Sequence, residues 1–512
     1  VIPKTLGSVA SLKARAEKSL AVKEEWRSLL EDTYRYFCPQ REVWDFYNAG
    51  EDKMNHIFDS TGQVALKEFA NRMMGSITPQ ATIWATMIPG IDIPQQYRKD
   101  PDLTRSLQEA NEILFGYINN SNFYTIMGEA YLDLGIGTAG ITVDEGDLES
   151  PLVYGMIDQS QVGYEESHTG LIENIYRKKK HKARNIKKAY PGGSFNQEIT
   201  DMIENSPNAE VTFTECMVKD EKTGEYWIVV IYDDDEVWSN PQGTANPWIA
   251  FRWQVIPNEV RGRGPALDAL PDVKTLNKIQ EFALQKAALD LAGLWTGQDD
   301  GIFNPYTVQV APGVVIPVST NSTTNPTLQR LDTGAPLQLA QFEIDKLQTN
   351  VKTNLYNDLR DPTGAVRSAT EVTINQRELA QRIGSNFGRI QNEALSRILN
   401  STYQILRRLG KVPPINIDGR EVAIKFISPL ARAQDAEDVQ VLQNAVATTA
   451  QLAGPEAIPM EFKVENFGNF IAHKFGMDAD LVRTDSEKQE KMQQMAQLAQ
   501  MQAGAAGGEP IQ

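Results

Sequence analysis

The chain has 512 residues, 41% hydrophobic and 23% charged, a balance that suits two or three folded cores and excludes wholesale disorder. Fifty Lys and Arg against 67 Asp and Glu leave a net charge of -17, which excludes a general nucleic-acid gripper, since such binding draws on counterions released by basic side chains; a surface past which DNA slides stays open. Mean hydropathy is -0.38, and the most apolar stretch, Ala283 to Trp295, is broken by Gln285, Lys286 and Asp290, well short of the ~18 apolar residues a membrane span needs.

Val1 to Lys13 carries no apolar core followed by a small-residue cleavage site, so no secretory leader is expected. Cys38 and Cys216 are the two cysteines. A disulfide framework is therefore not expected, and a reducing compartment suits assembly.

The first 135 residues read as helices. Leu12, Ala16, Leu20, Trp26, Leu30 and Tyr34 recur at helical spacing. A second helix starts at Asp59-Ser60, either of which can cap it, carries Ala65, Phe69 and Met73, and stops at Thr78-Pro79. Leu103 to Tyr117 and Phe123 to Leu134 make two more. From Gly137 to Gln254 the pattern turns strand-like, with Val211-Thr-Phe-Thr and Tyr226 to Tyr232 joined through a hairpin at Asp220 to Gly224. The first half is expected to form one α+β domain.

Pro271 is expected in the first turn of a helix with Asp272 beside the positive end of its dipole. Val273, Leu276, Ile279, Ala283, Ala287 and Leu291 continue it. A Gly, Pro, Asn and Thr-rich stretch, Gly297 to Leu337, suggests a strand pair at Thr307 to Val310 and Val314 to Val318. A second helix runs from Leu337 to Leu359, and Asp361-Pro-Thr-Gly364 turns the chain. Ser368-Ala-Thr-Glu371 is a capping box opening a helix that reaches Gly410, with Gly384 and Gly388 as the expected kink. A strand at Glu421 to Ile427 precedes helices at Ala433 to Gln451 and Lys488 to Met501. The last of these carries a seam of Met492, Met495, Leu498 and Met501.

Catalytic signatures are missing. There is no G-x-x-x-x-G-K-[ST] and no G-x-S-x-G, and Gly262-Arg-Gly264 lacks the third glycine of a dinucleotide loop. His56, His168, His181 and His473 are scattered singly, so no metal site, cofactor or catalytic residue is expected. Asp233 to Glu236 reads as a solvated hairpin end, with a cation site as the alternative. The basic run Arg177 to Lys182, with Arg184, Lys187 and Lys188, reads as a solvated or subunit-bridging face, with contact to nucleic acid or an acidic neighbour as the alternative.

Four segments, in order over about 375 residues, resemble the portal, or head-to-tail connector, proteins of short-tailed double-stranded DNA bacteriophages (podoviruses). They are Asp59-Ser60-Thr-Gly62 with Phe69-Ala70, Thr78-Pro79 and Trp84; Gly264-Pro265 through Leu270-Pro271-Asp272 to Asn277; Ser368-Ala-Thr-Glu371-Val372 with Arg377-Glu378, Gly384 and Arg389, then Arg408-Leu-Gly410 and Pro413; and Ser428-Pro429-Leu-Ala-Arg432-Ala-Gln434.

The resemblance implies an α+β portal fold with an α/β wing, a two-helix stem, a small β-containing clip and an α-helical crown, assembled as a ring of about twelve subunits. On that reading 1–264 is wing, 265–296 the first stem helix, 297–336 the clip and 337–359 the second stem helix. The tunnel loop is 360–368, 369–428 returns to the wing as the long helix and strand, 429–485 is the crown, and 486–512 a C-terminal helix and tail, with extension of a helical barrel or fraying as the two alternatives. It implies double-stranded DNA in the channel, the terminase large subunit and tail adaptors as docking partners, and contacts with major capsid and scaffolding proteins. Assembly would take place in the host cytoplasm, for a virion vertex, without a membrane. Lys346, Lys352, Arg360, Asp361, Thr363, Gly364 and Arg367 are the channel candidates, with pairing to Glu343, Asp345, Asp358 or Asp361 of a neighbour as the alternative. A non-channel oligomeric adaptor and a carboxylate-dependent hydrolase at Asp233 are the competing classes.

Overall fold

The computed structural model describes residues 2–41, 52–80, 82–90, 92–94, 101–147, 149–292, 295–297, 328–330, 337–357, 382–413, 422–464, 467–468, 470 and 491. In chain order the elements are α1 (Val9–Phe37), α2 (Thr61–Ile77), β1 (Ala85–Pro89), α3 (Pro101–Asn119), α4 (Phe123–Ile136), β2 (Thr138–Glu145), β3 (Leu152–Met156), β4 (Val162–Glu166), β5 (Ile172–Lys182), α5 (Gln197–Asn205), β6 (Glu210–Lys219), β7 (Tyr226–Tyr232), β8 (Asp235–Gly243), β9 (Trp248–Arg252), α6 (Pro265–Ala292), β10 (Trp295–Gly297), β11 (Leu328–Arg330), α7 (Leu337–Asn354), α8 (Ser396–Arg408), β12 (Val422–Phe426) and α9 (Pro429–Ala453). The fold is mixed α and β, as the alternation of 3.6- and 2-residue periods requires.

Two compact units result: Val1–Leu30, Lys67–Pro265 and Leu359–Gln512 form one, Glu31–Leu66 and Ala266–Asp358 the other. The expectation of a single α+β domain in the first half is thus corrected, because Glu31–Leu66 groups with the helices that follow Pro265.

In the first unit β4-β5-β6-β7-β8 form an antiparallel meander and β3-β2-β9 a second sheet. Alternation in β6 serves two layers at once. Val211 and Phe213 face a cluster with Ile186, Tyr190, Ile199 and Val237, whereas Cys216 and Val218 face Leu6, just before α1, and Leu12 and Ala16 in its first turns. A third pair joins β1 to β12, Ala85 opposite Phe426 and Pro89 opposite Val422.

Two details depart from the periodicity reading. The helix expected to open at Pro271 is α6, which starts at Pro265 and carries Pro271 inside it. Burial of Ala266, Ala269 and Leu270 holds the added turns despite the amide that Pro271 cannot donate. The long helix is helical over 382–390 and again over 396–408, but the irregularity falls at a π-helical stretch, Gln391–Leu395, and not at Gly384 or Gly388. Both glycines face open space, with nothing within 4 Å of the position a methyl would take. The Asp233–Glu236 run, read as a hairpin end, is one: the chain turns between Tyr232 and Asp235, where strand β8 begins. The expected strand pair at 307–318, the Ser368–Glu371 box, the helix at 488–501 apart from Lys491, and His473 lie outside the described residues.

Candidate functional site

In the second unit, the segment before α2 is laced between α6 and α7. Asn277, nearly buried on α6, accepts from the Phe58 and Asp59 amides through Oδ1 (2.7 and 3.2 Å) and donates through Nδ2 to the His56 carbonyl (3.0 Å). Asp59 caps α2, accepting from the Thr61 amide at 2.8 Å, and its other oxygen accepts from Gln348 of α7 at 2.9 Å. Asn357 donates to the Ala65 carbonyl. Gly62 comes so close to Val273 and Phe37 that a Cβ there would lie 3.2–3.3 Å from both. Ser60, the other cap candidate, is exposed. The Asp59–Gly62 motif is therefore a lace that ties two helices together. Asp59→Ala is expected to cost about 1–2 kcal/mol, the cap and the Gln348 bond together; a urea transition measures it, and Ser60→Ala should leave that transition in place.

Lys346 and Lys352 both lie on α7. Its packed face carries Ile344 and Val351, both buried, and Leu355 is buried just past its end. At about 100° per residue, Lys346 points away from that face and Lys352 flanks it, so the two do not share a side. Lys346 sits 3.8 Å from Glu343 of its own chain, both side chains exposed, a contact of little energy. Lys352, in the last turn, is exposed. Arg360, Asp361, Thr363, Gly364, Arg367, Ser368 and Glu371 lie outside the described residues. Pro429 occupies the first turn of α9, capped by Ser428, whose hydroxyl accepts from the Ala431 amide; Arg432 lies in that helix. Asp272 follows Pro271 within α6.

The Gly262-Arg-Gly264 stretch turns out to be a place of close backbone packing. Gly264 donates to the Ile136 carbonyl at 2.9 Å and Gly262 to Thr138 Oγ1 at 2.8 Å. Arg261 is buried on the Gln159 and Val162 carbonyls beneath Tyr164, while Arg263 forks onto Glu259 at 2.8 Å. The Asp233 run is a β7–β8 hairpin end in which Asp234 pairs with Lys13 at 2.7 Å. Among the described residues no group of three His, Cys, Asp or Glu could hold a metal.

The basic run splits by strand alternation. Lys178, Lys180 and Lys182 fall on one side of β5 and are exposed. Arg177 turns inward, stacking 4.0 Å from Trp248 and hydrogen-bonding Glu215. The Tyr190 hydroxyl donates to the other Glu215 oxygen at 2.7 Å. Burial opposes the Glu215 charge, but His181, Arg177, Lys179 and Tyr190 outweigh it and hold the carboxyl at about 2. Because this folded value lies below the usual 4.5, the pair stabilises the fold above pH 4.5, and that contribution fades as pH falls from 4.5 towards 2. Acid denaturation should therefore steepen in this window, and Glu215→Gln should flatten it.

Sequence reasoning missed a second buried ion pair. Arg252 on β9 is 1% exposed; it donates to Glu393 at 3.0 Å and also pairs with Glu166. Its remaining donors reach the Gly170 and Val260 carbonyls. Glu393 lies within the π-helical stretch, the kind of irregularity that is frequent at functional sites.

Comparison with known proteins now places the chain in a class. The family model for bacteriophage head to tail connecting proteins matches residues 9–482, and the chain belongs to that family. Among individual relatives, it is 22% identical over 491 residues to the Bordetella phage BPP-1 protein named "Probable portal protein", covering 90% of this chain and 86% of that one. Solved structures that resemble it include the neck of an empty gene transfer agent particle (TM-score 0.37, 11% identity, 80% of this chain and 91% of that chain) and the virion of a native gene transfer agent particle (0.34, 9%, 81% and 95%).

Proposed function

We propose that this chain is a portal subunit. About twelve copies close into a ring at one vertex of a phage head, and double-stranded DNA is packaged and later ejected through its central channel. The family match over residues 9–482 carries the reading, and the likeness to a protein named as a portal supports it. Exposed apolar side chains on α6 and α7 support a ring as well: Phe282 and Leu284 on α6 and Phe342 on α7 are 56%, 49% and 65% exposed, and large apolar groups left in water favour association.

On this reading α6 and α7 are the stem, 297–336 the clip, 360–368 the tunnel loop and 429–485 the crown. The ring docks the terminase large subunit during packaging and tail adaptors afterwards, while coat and scaffolding proteins meet the wing during assembly in the host cytoplasm. The motor supplies the energy, in keeping with the missing P-loop in this chain. At -17 per copy, a ring of about twelve carries roughly 200 negative charges, so DNA is repelled from most walls and slides. Sparse cations such as Lys346, Lys352, Arg360 and Arg367 meet phosphates, and Gly364 lets the loop with Asp361 and Thr363 bend against DNA without fixed register.

Negative-stain electron microscopy with mass photometry tests this. Rings with a hole wide enough for duplex DNA and a mass near twelve times 57.1 kDa are expected. A monomer that never closes, even at high concentration with scaffolding protein, overturns the proposal.

A further inference from the structure

Helix α9 presents an unusual surface for an acidic chain. Val439 to Pro455 contains no charged residue, yet the helix is open to solvent: Val441 is 62% exposed and Leu452 83%. Its polar side chains ask little of water. Thr448 donates to the Asn444 carbonyl at 2.7 Å and Thr449 to the Ala445 carbonyl at 2.9 Å, which leaves their methyl groups outward.

The apolar residues fall into two stripes. At about 100° per residue, Val439, Leu442, Val446 and Ala450 make one, and Val441, Ala445, Thr448 and Leu452 another roughly 130° away. Gln440, Gln443, Asn444 and Gln451 fill the remaining arc. The first stripe starts buried at Val439, 6% exposed, and is half-buried through Leu442, Val446 and Ala450. The second is the more exposed.

We propose that the second stripe of α9 seats on the first stripe of α9 in an adjacent copy, making a neutral, helix-on-helix contact. The inference rests on the ring reading and adds to it the surface used. Two observations select a second copy as the occupant. Copies that each carry -17 repel one another, and a face without charge is where they approach at least electrostatic cost. Two unlike stripes on one helix also suit a head-to-tail contact, which propagates around a ring; a single self-complementary face would stop at a dimer. A helix face covers less than the ~800 Å² per partner of a free-standing complex, so the contact forms within the ring and does not build a dimer alone.

The test uses the full chain with Val441→Cys, Val446→Cys and both together, Cys38 and Cys216 being kept in every sample as the background. Particles are sized by mass photometry and treated with a short bismaleimide. In rings, the double variant is expected to give a ladder of linked chains beyond the dimer, and each single variant no more than the unsubstituted chain. Rings that form normally and yield no ladder overturn the α9 contact while leaving the portal reading standing. The contact is likewise overturned if the Val441→Cys thiol of the unassembled chain resists maleimide, since residues 471–512 of the same chain would then cover the stripe. If no variant and no parent chain forms rings, the portal reading falls and this contact with it.

Discussion

Glu393→Ala is expected to destabilise the first unit by about 3 kcal/mol, because it strands the Arg252 guanidinium in the interior. Arg252 is 1% exposed, and Glu393 supplies both a 3.0 Å ion pair and the acceptor for the Arg252 amide at 3.1 Å. Removing one member of a buried pair costs about 3–5 kcal/mol, mostly through the charge left uncompensated. Glu166 still reaches Arg252, which sets the expectation at the lower end. Adding Arg252→Met in the same chain removes the stranded charge and should recover part of the loss. Urea unfolding of the parent chain and of these two variants measures the loss and the recovery. A loss under about 1 kcal/mol for Glu393→Ala would mean that water or Glu166 satisfies Arg252 without it.

The second large effect is expected at Gly264. A methyl there would stand 2.3 Å from the Gly135 carbonyl oxygen and 2.5 Å from the Ile136 carbonyl carbon. Those atoms are backbone and cannot rotate aside. Gly264→Ala must therefore push two chain segments apart, losing the Gly264 to Ile136 and Gly262 to Thr138 hydrogen bonds. A cost above about 4 kcal/mol is expected, read as loss of folded protein on expression or as a lowered unfolding transition. Gly388→Ala is the contrasting control. Open space surrounds it in a helix, and alanine there should stabilise by about 0.5–1 kcal/mol. Equal effects at both glycines would contradict the close-packing account.

Much of this architecture is legible in the chain. Strand pairing around Asp220–Gly224 follows from β-branched alternation broken by a turn, and β6 pairs with β7 there, Lys219 opposite Tyr226. The two helices on either side of the Gly- and Pro-rich stretch are legible because their apolar residues recur at three and four. Pro271 misleads for a physical reason: local chemistry argues for a helix start, and buried Ala266 and Leu270 override it through tertiary packing. The π-helical turn is silent in sequence, since Ile383, Phe387, Ile390, Ala394 and Ile398, all buried, keep ordinary helical spacing straight through it. For the same reason Glu393 looks like any surface glutamate. Its partner lies 141 positions away, and no local pattern encodes a contact at that range. The Asp59–Gly62 motif is legible as a cap, but not as a lace, because Asn277 and Gln348 reach it from distant helices.

The β1–β12 ladder carries a consequence for the order of events during synthesis. Ala85 and Phe426 face each other, and at roughly 5–20 residues per second a ribosome needs about 20–70 s to make the chain between them. Throughout that interval β1 lacks the strand it pairs with in its two-stranded sheet, and an unpaired strand is one that other chains can join. β12, the last strand among the described residues, is therefore a timer. A nascent subunit cannot present its finished first unit until the C-terminal region is released, so chains cut short before Val422 should be retained by chaperones or aggregate through β1, and assembly would draw only on polypeptides that have been made to near full length.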